Sequence, residues 1–231
     1  MTNIAENIRL LRDAIGEAAV KSGRSPGDIT LVAASKTKPA EMIRQAIDAG
    51  VEAVGENRVQ EMLEKQDQGA YHGAALHFIG HLQSNKVRQV VGVCDLIESV
   101  SSQALLELIG KKAASLGIVQ NVLLEVNIGE EPQKSGFFPE QTAEIIDLAS
   151  HTKGINVLGL MAVPPIFTKF ERNCYYFDAM FQLFIDISKK KYDNVSMRFL
   201  SMGMSDSYTE AILAGSNMVR VGTAIFGERL F

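Results

Sequence analysis

Eight short apolar runs, four to eight residues long, recur along the chain with helical patterns between them. They are Ile29–Ser35, Val51–Glu56, Leu76–Gly80, Asp95–Val100, Val122–Asn127, Asn156–Val163, Met197–Ser201 and Met218–Val221. Runs this continuous suit parallel strands buried on both faces, which lack the alternation of a half-exposed strand. Polar or Gly/Pro punctuation follows each run, and an amphipathic helical pattern follows every run but the last. Strands alternating with helices build βαβ units, and eight of them in 231 residues suit a closed (β/α)8 TIM barrel better than an open doubly wound sheet. The helical pattern Ile4–Lys21 precedes the first run and adds an extra N-terminal helix. Gly69–Gly73 reads as a loop tip, and no Pro- or Ser-rich linker divides the chain, so residues 1–231 are read as one α/β domain.

Composition narrows the function without naming it. The apolar content of 46% supports a sizeable core, and the formal charge of −4 argues against a nucleic-acid footprint, which gathers Lys and Arg on one face. Lys189-Lys190-Lys191 reads as a solvated helix end. Glu6, Asp13 and Glu17 interrupt the first helical pattern, where an export signal needs an unbroken apolar stretch. The longest apolar run, Ile155–Phe167, is broken by Pro164-Pro165 and falls short of the ~20 residues that cross a bilayer. Cys94 and Cys174 have no partner spacing, so neither disulfide nor zinc is suggested. These features predict a soluble, cytoplasmic protein that meets neither nucleic acid nor membrane.

In a barrel of this kind, chemistry sits where strands end and βα loops begin. The first run ends in Ser35-Lys36 and breaks at Thr37-Lys38-Pro39. An ammonium group at the end of a buried strand is penalised by desolvation, and the neutral amine that results attacks an aldehyde to give a Schiff base. The other reading of Lys36 is a rim lysine whose stem is buried and whose head reaches solvent.

The seventh and eighth runs add a second feature. Ser201-Met202-Gly203-Met204-Ser205 follows one and Gly222-Thr223 the other, and barrels commonly hold a phosphate at these two loops. Small residues let backbone N–H groups approach an anion, and hydroxyls add donors. Ser207 with Glu210 also fits a capping box closed by Gly215. Arg220, two residues before Gly222, points to the same side of its strand and can reach a ring or carboxylate in that pocket. Asn57 closes the second run, either as cap of the next helix, with Gln60 three residues on, or as a ligand contact. His77 and His81 have no carboxylate at ligand spacing and are read as rim or core residues, and Met161 as a packing residue. With no Walker loop, dinucleotide fingerprint or serine elbow, a phosphate-bearing aldehyde is the best remaining ligand.

Several segments together resemble the pyridoxal phosphate homeostasis protein family, also called the proline synthase co-transcribed family. They are the stretch from Gly27-Asp28-Ile29 through Ala34-Ser35-Lys36-Thr37-Lys38-Pro39, Gly55-Glu56-Asn57, the stretch from His77 to Lys86, Lys134-Ser135-Gly136, Gly159-Leu160-Met161, the stretch from Ser201 to Asp206, and the stretch from Val219 to Gly227. The resemblance implies a barrel like the N-terminal domain of alanine racemase. It implies pyridoxal 5'-phosphate (PLP) on Lys36 as an internal aldimine, Ser201, Gly222 and Thr223 around the phosphate, and Arg220 near the pyridine nitrogen; Asn57, in one of the shared segments, is the candidate for a further cofactor contact. Leu76, where the family has Trp, and Arg58, where an aromatic is common, depart from its pattern.

Two functions compete on that site, beside a third reading in which the barrel binds some other phosphorylated metabolite and Lys36 forms no aldimine. The first is a non-catalytic carrier or regulator that holds PLP, buffers its level and passes it to PLP-dependent apoenzymes. The second is an amino-acid racemase. Related racemases take a second base, a Tyr, from an additional C-terminal domain, whereas this chain stops at Phe231 directly after the eighth run. Of the five tyrosines, only Tyr208 lies near an active-face loop. A guanidinium beside the ring nitrogen disfavours its protonation, so the ring withdraws electrons poorly, which suits holding the aldehyde. The carrier is expected, as a monomer.

Overall fold

The computed structural model describes residues 3–165 and 170–227, and side chains over 3–165 and 174–227. Its strands are β1 (Thr30–Ala34), β2 (Ala53–Glu56), β3 (Ala75–Phe78), β4 (Leu96–Val100), β5 (Gln120–Val126), β6 (Ile155–Ala162), β7 (Val195–Ser201) and β8 (Met218–Val221). Each begins and ends within two residues of an apolar run. They pair in chain order, all parallel, and β1 pairs with β8 to close the barrel. The expected (β/α)8 architecture is therefore observed.

The helices are α1 (Ile4–Lys21), α2 (Ala40–Asp48), α3 (Val59–Asp67), α4 (Val87–Val90), α5 (Gln103–Ser115), α6 (Thr142–His151), α7 (Phe170–Ser188), α8 (Tyr208–Leu213) and α9 (Thr223–Phe226). The extra helix α1 starts where the Asn3 side chain accepts the Glu6 N–H at 3.1 Å, one of the orphan donors of a first turn. Its stripe of Ile4, Ile8, Leu11 and Ile15 is buried against α8, α9 and α2. Lys189–Lys191 are exposed after the end of α7, as a solvated helix end should be. No described helix is long and apolar enough to cross a membrane. Residues 166 and 167 of the longest apolar run, and Phe231, lie outside the described residues.

Alternation along the strands sorts the barrel interior into layers. The lowest is apolar: Val32, Ala53, Leu96, Leu123, Met161 and Met218 pack together. Met161 is thus a packing residue, as expected. Two residues further along, the same strands present Gly55, Glu98, Glu125 and Arg220, joined by His77 and Ser201. Two residues further again come Lys36, Asn57 and Gly222, at the mouth. The intervening residues face the helices and build the main apolar core with them.

Candidate functional site

The mouth of the barrel holds a cavity of about 360 Å³ whose lining includes Lys36, Asn57, Ser205, Arg220, Gly222 and Thr223. Five of the six residues expected from sequence thus meet in one place. Ser201 is not among the lining residues.

Lys36 sits two residues beyond β1. Ser35 stays on the ladder, its N–H donating to Gly55 O at 2.9 Å, and the chain then turns, with Lys38 N–H donating to Ser35 O at 3.0 Å. Thr37 carries the turn with φ of 63°. Lifted off the strand in this way, Lys36 is exposed. The burial expected of its ammonium is corrected by this turn, and the rim position of the other reading is the one observed.

Asn57 follows β2 directly. The N-cap of α3 is Arg58, which offers no side-chain cap, so the capping role for Asn57 is not observed. Its Oδ1 is instead buried without a hydrogen-bond partner beside the cavity. An orphaned acceptor of this kind is costly unless a ligand or water satisfies it. Its backbone packs so closely on Gly80 that a Cβ there has no room.

On the other side of β1, Gly222 N–H donates to Ser205 Oγ at 3.3 Å, and a Cβ on Gly222 would meet Ala34 O at 2.9 Å. The β8–α9 backbone therefore lies directly on the end of β1. Thr223 opens α9 and is exposed. The capping box expected from Ser207 and Glu210 does not form: Ser207 makes no side-chain cap and its Oγ accepts from Met204 N–H at 3.3 Å. Gly215 does close α8, with φ of 112°.

Ser201 lies one layer down, fully buried. Its hydroxyl donates to Glu98 Oε2 at 2.6 Å and accepts from Arg220 Nη1 at 2.5 Å. Arg220 also donates from Nη2 to Ala162 O at 2.9 Å and stands 3.7 Å from Glu98 Oε2. The other oxygen of Glu98 meets His77 Nδ1 at 2.7 Å. Burial pushes the Glu98 carboxyl up, but His77, Arg220 and the Ser201 hydroxyl outweigh it and hold it below the usual carboxylate range. Burial pulls the Arg220 guanidinium down, with Glu98 and Glu125 opposing. Burial also raises Glu125, which Arg220 counters only in part, and its Oε2 has no hydrogen-bond partner. His81, by contrast, is exposed and pairs with Ser135 Oγ at 3.1 Å, so the two histidines do not converge. No group of metal-ligating side chains occurs among the described residues.

Ser205 belongs to the loop that the sequence offers for a phosphate, whereas Glu98 and Glu125 are not among the site residues expected from sequence. A signal exists for both carboxylates: each stands two residues past an interior apolar residue in a mostly apolar strand.

The family model of the alanine racemase N-terminal domain matches residues 1–230. The chain is 38% identical over 229 residues to the pyridoxal phosphate homeostasis protein of Aquifex aeolicus, covering 99% of this chain and 100% of the relative. It is 40% identical over 233 residues to the protein of that name from Escherichia coli K12, covering 99% and 98%. PipY of Synechococcus elongatus, solved without PLP and with PLP bound, superposes with TM-scores of 0.86 and 0.84 at 32% identity, over 97% of this chain and 100% of that one. An alanine racemase of Clostridium difficile superposes with a TM-score of 0.77 at 17% identity, over 99% of this chain and 57% of that one, a likeness of fold.

Proposed function

The chain belongs to the alanine racemase N-terminal domain family, and from that premise we propose that it is a PLP-binding protein of vitamin B6 homeostasis that holds the cofactor covalently through Lys36 and does not turn over a substrate. Full-length relatives carry the name pyridoxal phosphate homeostasis protein, and PipY has been solved with PLP bound.

The observation that carries this reading is the convergence of a lysine, an unsatisfied buried acceptor and two small loops on one cavity. The residues fit the group. Gly222 and Thr223, with Ser205, offer the backbone and hydroxyl donors a phosphate needs. Asn57 Oδ1 needs a partner that a bound ligand can give. Arg220 brings a buried positive charge to the cavity floor and is held from beneath by Ser201, so Ser201 acts through Arg220. When bound, the cofactor supplies an aldehyde with which an amine condenses, releasing water. Lys36 is the amine placed at the cavity. A guanidinium, unlike a carboxylate, gives a pyridine nitrogen no proton-stabilising partner, which favours retention over turnover.

As further parts of the proposal, residues 1–231 act as one domain and as a monomer in the cytoplasm, and the cofactor's recipients are PLP-dependent apoenzymes. Borohydride reduction of the PLP-loaded protein, followed by peptide mapping, is expected to place the label on Lys36, and amino-acid racemisation is expected to be absent. Label confined to other lysines would overturn the assignment of Lys36, and sustained racemisation would overturn the carrier.

A further inference from the structure

Lys36 belongs to the cavity, but the residues on either side of it are held from behind, outside the barrel. Ser35 is held at three points: its N–H on Gly55 O, its hydroxyl donating to Glu56 Oε1 at 2.5 Å, and its carbonyl accepting from Lys65 Nζ at 3.0 Å. Lys65 also donates to Glu56 Oε1 at 2.7 Å, and Tyr71 OH to the same oxygen at 3.1 Å. Glu56 and Lys65 are buried. Thr37, on the other side, adopts a left-handed φ that a β-branched residue rarely takes, and its N–H donates to Glu61 Oε2 at 2.9 Å. Such a conformation persists only where its surroundings over-determine it.

Glu61 and Lys65 are one turn apart on α3, with Lys65 Nζ 3.9 Å from Glu61 Oε2. One helix therefore grips both peptide flanks of Lys36 with two side chains of opposite charge, and none of Glu56, Glu61, Lys65 or Tyr71 lines the cavity. A fold that needed only stability has no use for a buried lysine aimed at this one carbonyl, since apolar packing serves as well or better.

We infer that Glu61, Lys65 and Glu56 are positioning residues that fix the Ser35–Lys36–Thr37 turn and thereby set how readily the Lys36 amine meets a carbonyl held in the cavity. This inference rests on the proposed function. The physical reason is that capture depends on the angle and distance of approach, and a reactive side chain on a turn is only as well aimed as its flanking peptides.

The test separates aim from fold and from affinity. Covalent capture is followed as the rate of appearance of the visible absorption band on mixing with PLP. Non-covalent affinity is measured with pyridoxine 5'-phosphate, which carries an alcohol in place of the aldehyde. E61A removes the exposed pair with Arg58 as well as the charge-assisted hydrogen bond to Thr37 N–H, and loss of the latter is expected to slow capture about tenfold. Pyridoxine 5'-phosphate affinity is expected to stay at its wild-type value, and the thermal midpoint to fall by only a few degrees. E61Q, whose amide oxygen still accepts the Thr37 N–H, is expected to restore most of the rate. Lys65→Met is expected to slow capture as well, with a loss of stability much larger than that of the Glu61 variants. Wild-type capture in E61A would overturn the inference, and so would a loss in proportion to lowered stability or lowered pyridoxine 5'-phosphate affinity. Absence of capture in the wild-type protein would instead overturn the proposed function, and the inference with it.

Discussion

Glu56, on the helix-facing side of β2, and Glu98, on the barrel-facing side of β4, are both fully buried, yet the two carboxylates are held differently. Glu98 uses both oxygens, one on His77 and the other on Ser201 with Arg220 behind it, and all these partners are side chains. Glu56 gathers Ser35, Lys65 and Tyr71 on a single oxygen and leaves Oε2 without a partner. The inner cluster fixes a side chain, Arg220, that reaches the cavity. The outer cluster fixes a main chain, the turn that carries Lys36. One shapes the field of the site and the other its geometry, and neither supplies the cavity with its anion-binding donors.

Breaking the outer pair is expected to have the larger effect. Lys65→Met strands the Glu56 carboxylate with only hydroxyl partners, at about 3–5 kcal/mol of unfolding free energy. Urea unfolding measures this, and adding Glu56→Gln should recover most of the loss. Recovery of less than half would place the cost in packing of the lysine stem. Arg220→Met leaves Glu98 with His77 and Ser201, so the expected loss is smaller, about 2 kcal/mol; a loss matching that of Lys65→Met would mean the inner cluster has no redundancy.

The interior carboxylates also sharpen the contrast through pH. Glu98 is held below its ordinary range, so its contribution is present above the unfolded-state pKa and fades as pH falls through the folded one. Glu125 is raised, so its contribution is present below the unfolded-state pKa and is lost as pH rises through the folded one. Glu98→Gln should therefore flatten the acid limb of a stability–pH curve while lowering the neutral plateau. Glu125→Gln should raise the neutral plateau by about 1 kcal/mol, by replacing a poorly solvated charge with a neutral amide. Thermal midpoints across pH 3–8 check both, and a neutral plateau unchanged by Glu125→Gln would show that solvent already relieves that group.

The smallest effect is expected from Tyr71→Phe. It removes one of three donors to Glu56 and costs about 1 kcal/mol. Capture of PLP should be nearly unaffected, because Tyr71 touches neither flank of Lys36.

Strand positions were legible because parallel strands buried on both faces leave continuous apolar runs. Lys36, Asn57, Arg220 and Gly222 were legible because chemistry in such a barrel gathers at strand ends. Ser201 shows the limit: it ends β7, yet alternation turns its hydroxyl into the interior layer, and Ser205 in the following loop meets the cavity. Lys36 shows another: a left-handed Thr37, which no residue type announces, carries its head out of the burial that its place in the chain suggests.

The sequence by itself determined the number and order of the strands, the barrel, and most of the residues at its mouth, because periodicity and strand ends are properties local to the chain. Only the tertiary structure decided that Lys65 reaches Ser35, that Glu61 reaches Thr37, and that Glu98 stands between His77 and Arg220. Those pairings join residues from 21 to 122 positions apart, and their geometry follows from barrel closure and helix docking, which no local pattern records.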